Sequence, residues 1–155
     1  MTTQTEVVAT TSEQWLAVCS AYADQGVDVV DWLTAIDREA ALEIVVCLVN
    51  PGSGSAVLIS CVVDAGAPRI PSLSGRFPGA DWHERETAEM FGVEFTGRTN
   101  TEPLLLRSTA PAPLRKSAPL AARVETPWPG ADPDTGRRRR KLPPGVRSEW
   151  VAGDE

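Results

Sequence analysis

Apolar and polar positions divide the first hundred residues into a helix, three strands and a second helix. Trp15, Val18, Cys19 and Tyr22 recur at helical intervals, and Gly26 supplies a stop. Thr11 and Gln14 stand at capping-box spacing just before them. Val27 to Ile36 is rich in β-branched and apolar residues and predicts a strand. Leu42 to Val49 predicts a second and Ala56 to Val63 a third, joined by the turn cluster Asn50 to Ser55. These last two strands are almost continuously apolar, so both faces of the sheet need cover. One face can pack on the helices, and the other has to meet something else.

From Asp64 to Gly79 the chain is loop-like, punctuated by Pro68, Pro71 and Pro78. A second helix is expected from Asp81, with Asp81 capping and Glu84 three residues on, through Trp82, Arg85, Thr87, Ala88, Met90 and Phe91 to a stop at Gly92. Beyond Gly97 no period of 2 or 3.6 is sustained, and nine of the thirteen prolines lie there. The reading is an α+β domain over residues 12–96, a small, mainly antiparallel sheet of three or more strands packed with two helices. A flexible N-terminus over 1–11 precedes it, and an extended proline-rich C-terminal arm over 97–155 follows.

Charge follows the same division. Residues 1–96 hold 4 Lys/Arg against 14 Asp/Glu, whereas 97–155 hold 11 against 7, so an acidic body is joined to a basic arm. A formal charge of −6 argues against a nucleic-acid binder. No apolar stretch approaches the ~18 residues of a membrane span, and the N-terminal residues lack the pattern of a signal peptide. The expected location is cytosolic, with any membrane association indirect.

The candidate chemistry thins out on inspection. His83-Glu84 begins the zinc-protease pattern H-E-x-x-H, but Thr87 occupies the second histidine position and His83 is the chain's single histidine. Glu86 and Glu89 as an acid–base pair lie on one helix with no facing cleft signalled. Gly52-Ser53-Gly54 lacks the lysine and the following helix of a phosphate loop. Cys19, Cys47 and Cys61 form no C-x-x-C pair, so they are expected to be buried thiols and not cluster ligands.

The arm carries the run Arg137 to Lys141, suited to RNA, anionic headgroups or an acidic protein surface. No aromatics interleave with that run, which weakens the nucleic-acid reading. Trp128, between Pro127 and Pro129, and Trp150 are unusual for a solvated tail and favour an arm that wraps a protein partner, with Trp128 as an anchor.

The segment from Phe77 to Phe95 resembles the signature of the C subunit, the 30 kDa subunit family, of proton-translocating NADH–quinone oxidoreductase (respiratory complex I). Trp82, Glu84-Arg85-Glu86, Glu89, Met90-Phe91, Gly92, Val93 and Phe95 carry the resemblance. Leu33 to Asp37 is similar to the family's first-strand ending, and Pro113-Leu114-Arg115-Lys116 to its element after the domain. The family's H-P-D-L-R-R stretch is missing; Arg98 to Leu106 keeps only the aliphatics.

The resemblance implies a structural subunit in the peripheral arm of the complex, at the cytoplasmic face of the membrane, beside D-like and B-like subunits. It implies no cofactor or catalytic residue in this chain. Iron–sulfur clusters, quinone and NADH or FMN belong to other subunits. Trp82, Glu84, Arg85, Glu86, Glu89, Phe91, Arg115, Lys116 and Trp128 are the expected partner-interface residues. Two alternatives are the equivalent small subunit of a membrane-bound [NiFe] hydrogenase and a stand-alone module binding through its basic arm.

Overall fold

A four-stranded sheet carries the two helices on one of its faces. The computed structural model describes residues 5–100, 102–106 and 112–118. Strand β1 (Thr5–Thr10) is followed by α1 (Trp15–Ala23), β2 (Val29–Asp37), β3 (Ala41–Val49) and β4 (Ala56–Asp64). Then come β5 (Arg69–Pro71), α2 (Ala80–Phe91) and β6 (Glu94–Thr96). The sheet order is β1-β4-β3-β2, antiparallel except for the parallel β1–β4 pair, so the α+β reading holds with one strand more than the minimum of three.

Register places alternate residues on opposite faces. Leu33 and Ala35 of β2 pair with Val46 and Ile44 of β3, which pair with Ile59 and Cys61 of β4. Leu42, Ile44, Val46 and Leu48 are all fully buried on this inner face, beneath Trp15 and Cys19 of α1 and Ala80 and Phe91 of α2. Truncating Leu48 to alanine there is expected to cost about 2–5 kcal/mol. All three cysteines are buried and unpaired; burial pushes the Cys19 thiol up to about 12 and Cys61 to about 11.

The β3–β4 turn forms where expected. Asn50 Oδ1 accepts the amides of Gly52 and Ser53, and Gly54 takes a φ of +72° that its missing side chain permits. Helix α2 ends as expected at Gly92, whose amide returns to the Ala88 carbonyl with φ at +73°.

Four expectations are corrected. Residues 1–11 are not simply a flexible lead: Thr5–Thr10 is an edge strand, because Glu6-Val7-Val8 finds the free edge of β4. Neither cap forms from its side chain. Gln14 itself occupies the cap of α1. Helix α2 starts one residue before Asp81, with Gly79 at its cap, and Asp81 faces the positive end of the helix dipole from the first turn.

The third correction is a second sheet, in which β5 and β6 pair in parallel and bury Ile70 against Phe95. Three-residue strands leave too short a period to read. The fourth is the boundary at 96. Residues 102–106 and 112–118 are bonded to the body, with the Leu114 amide on the Met90 carbonyl at 3.0 Å.

Candidate functional site: the signature helix and the segment it holds

Helix α2 sorts its polar side chains by direction. Glu84 and Thr87 point inward and are buried. Trp82, Arg85, Glu86 and Glu89 stand at i, i+3, i+4 and i+7, one outward stripe.

Glu84 is fully buried and accepts hydrogen bonds from the Leu73 amide at 2.6 Å and the Ser72 hydroxyl at 2.6 Å. Burial pushes its carboxyl above the usual range, against the lowering effect of these two donors and of nearby Arg98. Arg98 Nε and Nη1 are themselves buried with no hydrogen-bond partner among the described residues. Thr87 donates to the Leu33 carbonyl and so ties α2 to β2. The Glu84 carboxylate anchors the loop before α2 to the helix. The sequence reading expects an interface group with partners in another subunit; its partners instead lie within this chain.

The outward stripe clamps one segment. Arg85 donates from Nε to the Glu102 carbonyl at 3.1 Å and from Nη2 to the Pro103 carbonyl at 3.0 Å. One turn on, Glu89 accepts the amides of Leu104, Leu105 (2.8 Å) and Leu106 (3.1 Å). A cation thus takes the carbonyls and an anion the amides of consecutive peptides. Burial raises the Glu89 carboxyl, but the three amides and Arg85 outweigh it and hold the group below its ordinary value. These partners too lie within the chain.

What the clamp leaves exposed is Trp82 (63% exposed), Glu86, and Leu105 (61% exposed) on the held segment. The Arg85 guanidinium lies 5.7 Å from the Trp82 ring centroid, within cation–π range. Phe91 is a core residue.

Arg115 acts as a second clamp. Its three nitrogens reach the Phe91 carbonyl (3.2 Å), the Ala65 carbonyl (2.9 Å) and the Asp37 carboxylate (3.2 Å). Asp37 also accepts the Lys116 amide at 2.9 Å, and Lys116 Nζ pairs with exposed Glu39 at 3.1 Å. The Lys116 and Glu39 amides, then Arg115, hold the Asp37 carboxyl below its ordinary value. Trp128 lies outside the described residues.

No cluster of three His, Cys, Asp or Glu side chains suited to a metal occurs among the described residues. The pocket of about 450 Å³ beside Arg115 is lined mostly by small and apolar residues such as Ala65, Pro68, Phe91 and Ala112.

Residues 8–124 match the family described as the respiratory-chain NADH dehydrogenase 30 kDa subunit. The NADH-quinone oxidoreductase C subunit of Roseiflexus sp. (strain RS-1) is 42% identical over 88 residues, 56% of this chain and 51% of that protein. The C/D subunit of the same enzyme from Rhodopseudomonas palustris (strain BisA53) is 38% identical over 82 residues, 52% of this chain and 14% of that one. The chain spans about half the length of the C-subunit relatives it matches.

Among solved structures, the trypsin-resistant fragment of Nqo5 superposes with a TM-score of 0.57 at 24% identity, covering 61% of this chain and 80% of the fragment. A chain of the membrane-bound sulfane sulfur reductase, an archaeal respiratory membrane complex, gives 0.69 at 22%, covering 76% of this chain and 73% of that one. At these identities both establish the fold alone. The matched span takes in β2, β3, β4, helix α2 and the segment that its stripe holds, and the chain belongs to the family of the 30 kDa subunit of respiratory-chain NADH dehydrogenase.

Proposed function

We propose that this chain is a cofactor-free scaffolding subunit in the peripheral arm of an NADH–quinone oxidoreductase-type complex, held at the cytoplasmic face of the membrane through its neighbours. The observation that carries this reading is how the signature side chains are used. Glu84 is sealed in the interior, and Arg85 and Glu89 are committed to one backbone segment. No acid–base pair among the described residues of α2 remains facing a cleft. What remains is a shaped surface of Trp82, Glu86 and Leu105, an apolar pair beside one charge, which suits a protein interface.

The neighbours in this reading are D-like and B-like subunits. The Rhodopseudomonas palustris relative, whose name joins C and D in one chain, supports the first. The reacting centres, iron–sulfur clusters, quinone and NADH or FMN, belong to other subunits. The part of the arm that carries Trp128 supplies further attachment, with Trp128 as the anchor and Arg137 to Lys141 as a weaker, salt-screened contribution.

The test is affinity purification of the tagged subunit with its complex. Trp82→Ala with Leu105→Ala should lower the amount of assembled complex about thirtyfold, the effect of losing roughly 2 kcal/mol at an interface. Glu86→Gln should lower it less. Turnover per assembled complex should stay at the parental value in each case. Normal assembly with collapsed turnover would instead assign the signature helix a chemical role. Trp128→Ala should release the subunit at any ionic strength, whereas neutralising Arg137 to Lys141 should weaken attachment mainly at low salt.

A further inference from the structure

The sheet has a second face, which the two helices do not use. In register across the strands, Val7 of β1, Leu58 of β4, Cys47 of β3 and Trp32 of β2 form one row. Ala9, Ser60, Val45 and Thr34 form the next, and Val62, Glu43 and Ile36 the third. Val7 is 70% exposed and Val62 65%, while Trp32, Ile36 and Val29 are exposed to 36–42%. The exposed apolar side chains stand on β1, β4 and β2, with Val45 and Cys47 of the inner strand β3 buried between them, and a monomer ordinarily leaves few such groups together in water. The face is acidic at its margins. Asp31, the bulged residue beside Trp32, lies close enough to raise the Cys47 thiol, after burial itself, and Asp64 ends β4. Arg38, which follows β2, is already paired with Glu43 of this face at 2.8 Å.

We propose that this outer sheet face is a second docking surface, for a neighbouring protein subunit that presents an apolar patch bordered by Lys or Arg. Charge decides against a second copy of this chain. A symmetric face-to-face pair brings Asp31 and Asp64 margins together on a body that already holds 14 acidic against 4 basic residues. A basic-rimmed partner covers the valines and tryptophan and neutralises the margin in one contact. The inference rests on the scaffolding reading and extends it. The surface formed by α2 and the outer sheet face belong to opposite layers of the domain, so the subunit bridges two neighbours.

The experiment places a photo-crosslinking amino acid at position 62, and separately at position 86 on the exposed stripe of α2, in the full chain within the intact complex. Position 62 should give an adduct to one neighbouring subunit and position 86 an adduct to a different one. Charge is read separately. Val62→Lys should reduce co-purification of the position-62 neighbour at least tenfold, and Val62→Glu should reduce it clearly less, while both keep the parental melting temperature. An adduct to residues of this chain, an adduct to a second copy, or no adduct at position 62 overturns the proposal. So does Val62→Glu proving as harmful as Val62→Lys. If the parental chain co-purifies with no oxidoreductase subunit at all, the scaffolding reading itself fails, and that outcome is distinct from each of these.

Discussion

The Glu89 carboxylate accepts the Leu105 amide at 2.8 Å, and through that bond a side chain on the signature helix sets where an exposed leucine stands. The amides of Leu104 and Leu106 share the same carboxylate. Glu89→Ala should therefore free all three, and their hydrogen exchange should rise about tenfold, roughly 1.4 kcal/mol of local stability. Exchange elsewhere in the sheet should not change. Because the folded-state group is held below its ordinary value, the clamp is intact above the usual carboxylate range and is lost as pH falls through the depressed value. Exchange at 104–106 compared between neutral buffer and buffer more acidic than the usual carboxylate range checks the sign.

Glu84 is predicted to show the opposite dependence. Its carboxyl is raised by burial, so its contribution to stability is fully present below the unfolded value of about 4.5 and declines as pH rises from there through the raised folded value. Glu84→Gln keeps an oxygen for the Leu73 amide and removes the buried charge. It should flatten this part of the stability–pH profile at little cost near neutrality. Glu84→Ala leaves the amide unpaired beside a void and should cost about 2–4 kcal/mol by urea denaturation.

Arg115 reaches three acceptors because its guanidinium is a planar fork. Arg115→Lys retains the charge but cannot span two carbonyls and a carboxylate. Amides in residues 112–118 should then exchange faster while the sheet is unaffected. The same segment should loosen in the parental protein as pH falls through the depressed Asp37 value, since the protonated carboxyl no longer attracts Arg115.

Purified alone, the subunit should carry no stoichiometric iron, zinc, nickel or flavin. Elemental analysis after chelation and an absorbance spectrum are sufficient checks, and a retained stoichiometric metal would count against the scaffolding proposal.

Both helices, the β3–β4 hairpin and its turn, and the stop at Gly92 were legible in the residues. Each depends on neighbours within a few positions: a 3.6-residue period beginning at Trp15, an apolar run broken at Asn50, a glycine after Phe91. The apolar character of both sheet faces was legible too, from the near-continuous apolar runs of β3 and β4. The edge strand Thr5–Thr10 was not, because its stability comes from an edge of β4 that lies about fifty residues away in sequence.

The roles within the signature segment were decided by tertiary structure. Glu84, Glu86 and Glu89 are the same chemical group on one helix, and sequence alone treats them as one polar cluster. Glu84 turns inward and meets the Leu73 amide, Glu89 turns outward and meets the Leu104–Leu106 amides, and Glu86 is exposed. The physical reason is the step of about 100° between successive helical residues. It points chemically equal side chains at different surroundings, and only the packed sheet and the returning chain determine what each one finds there.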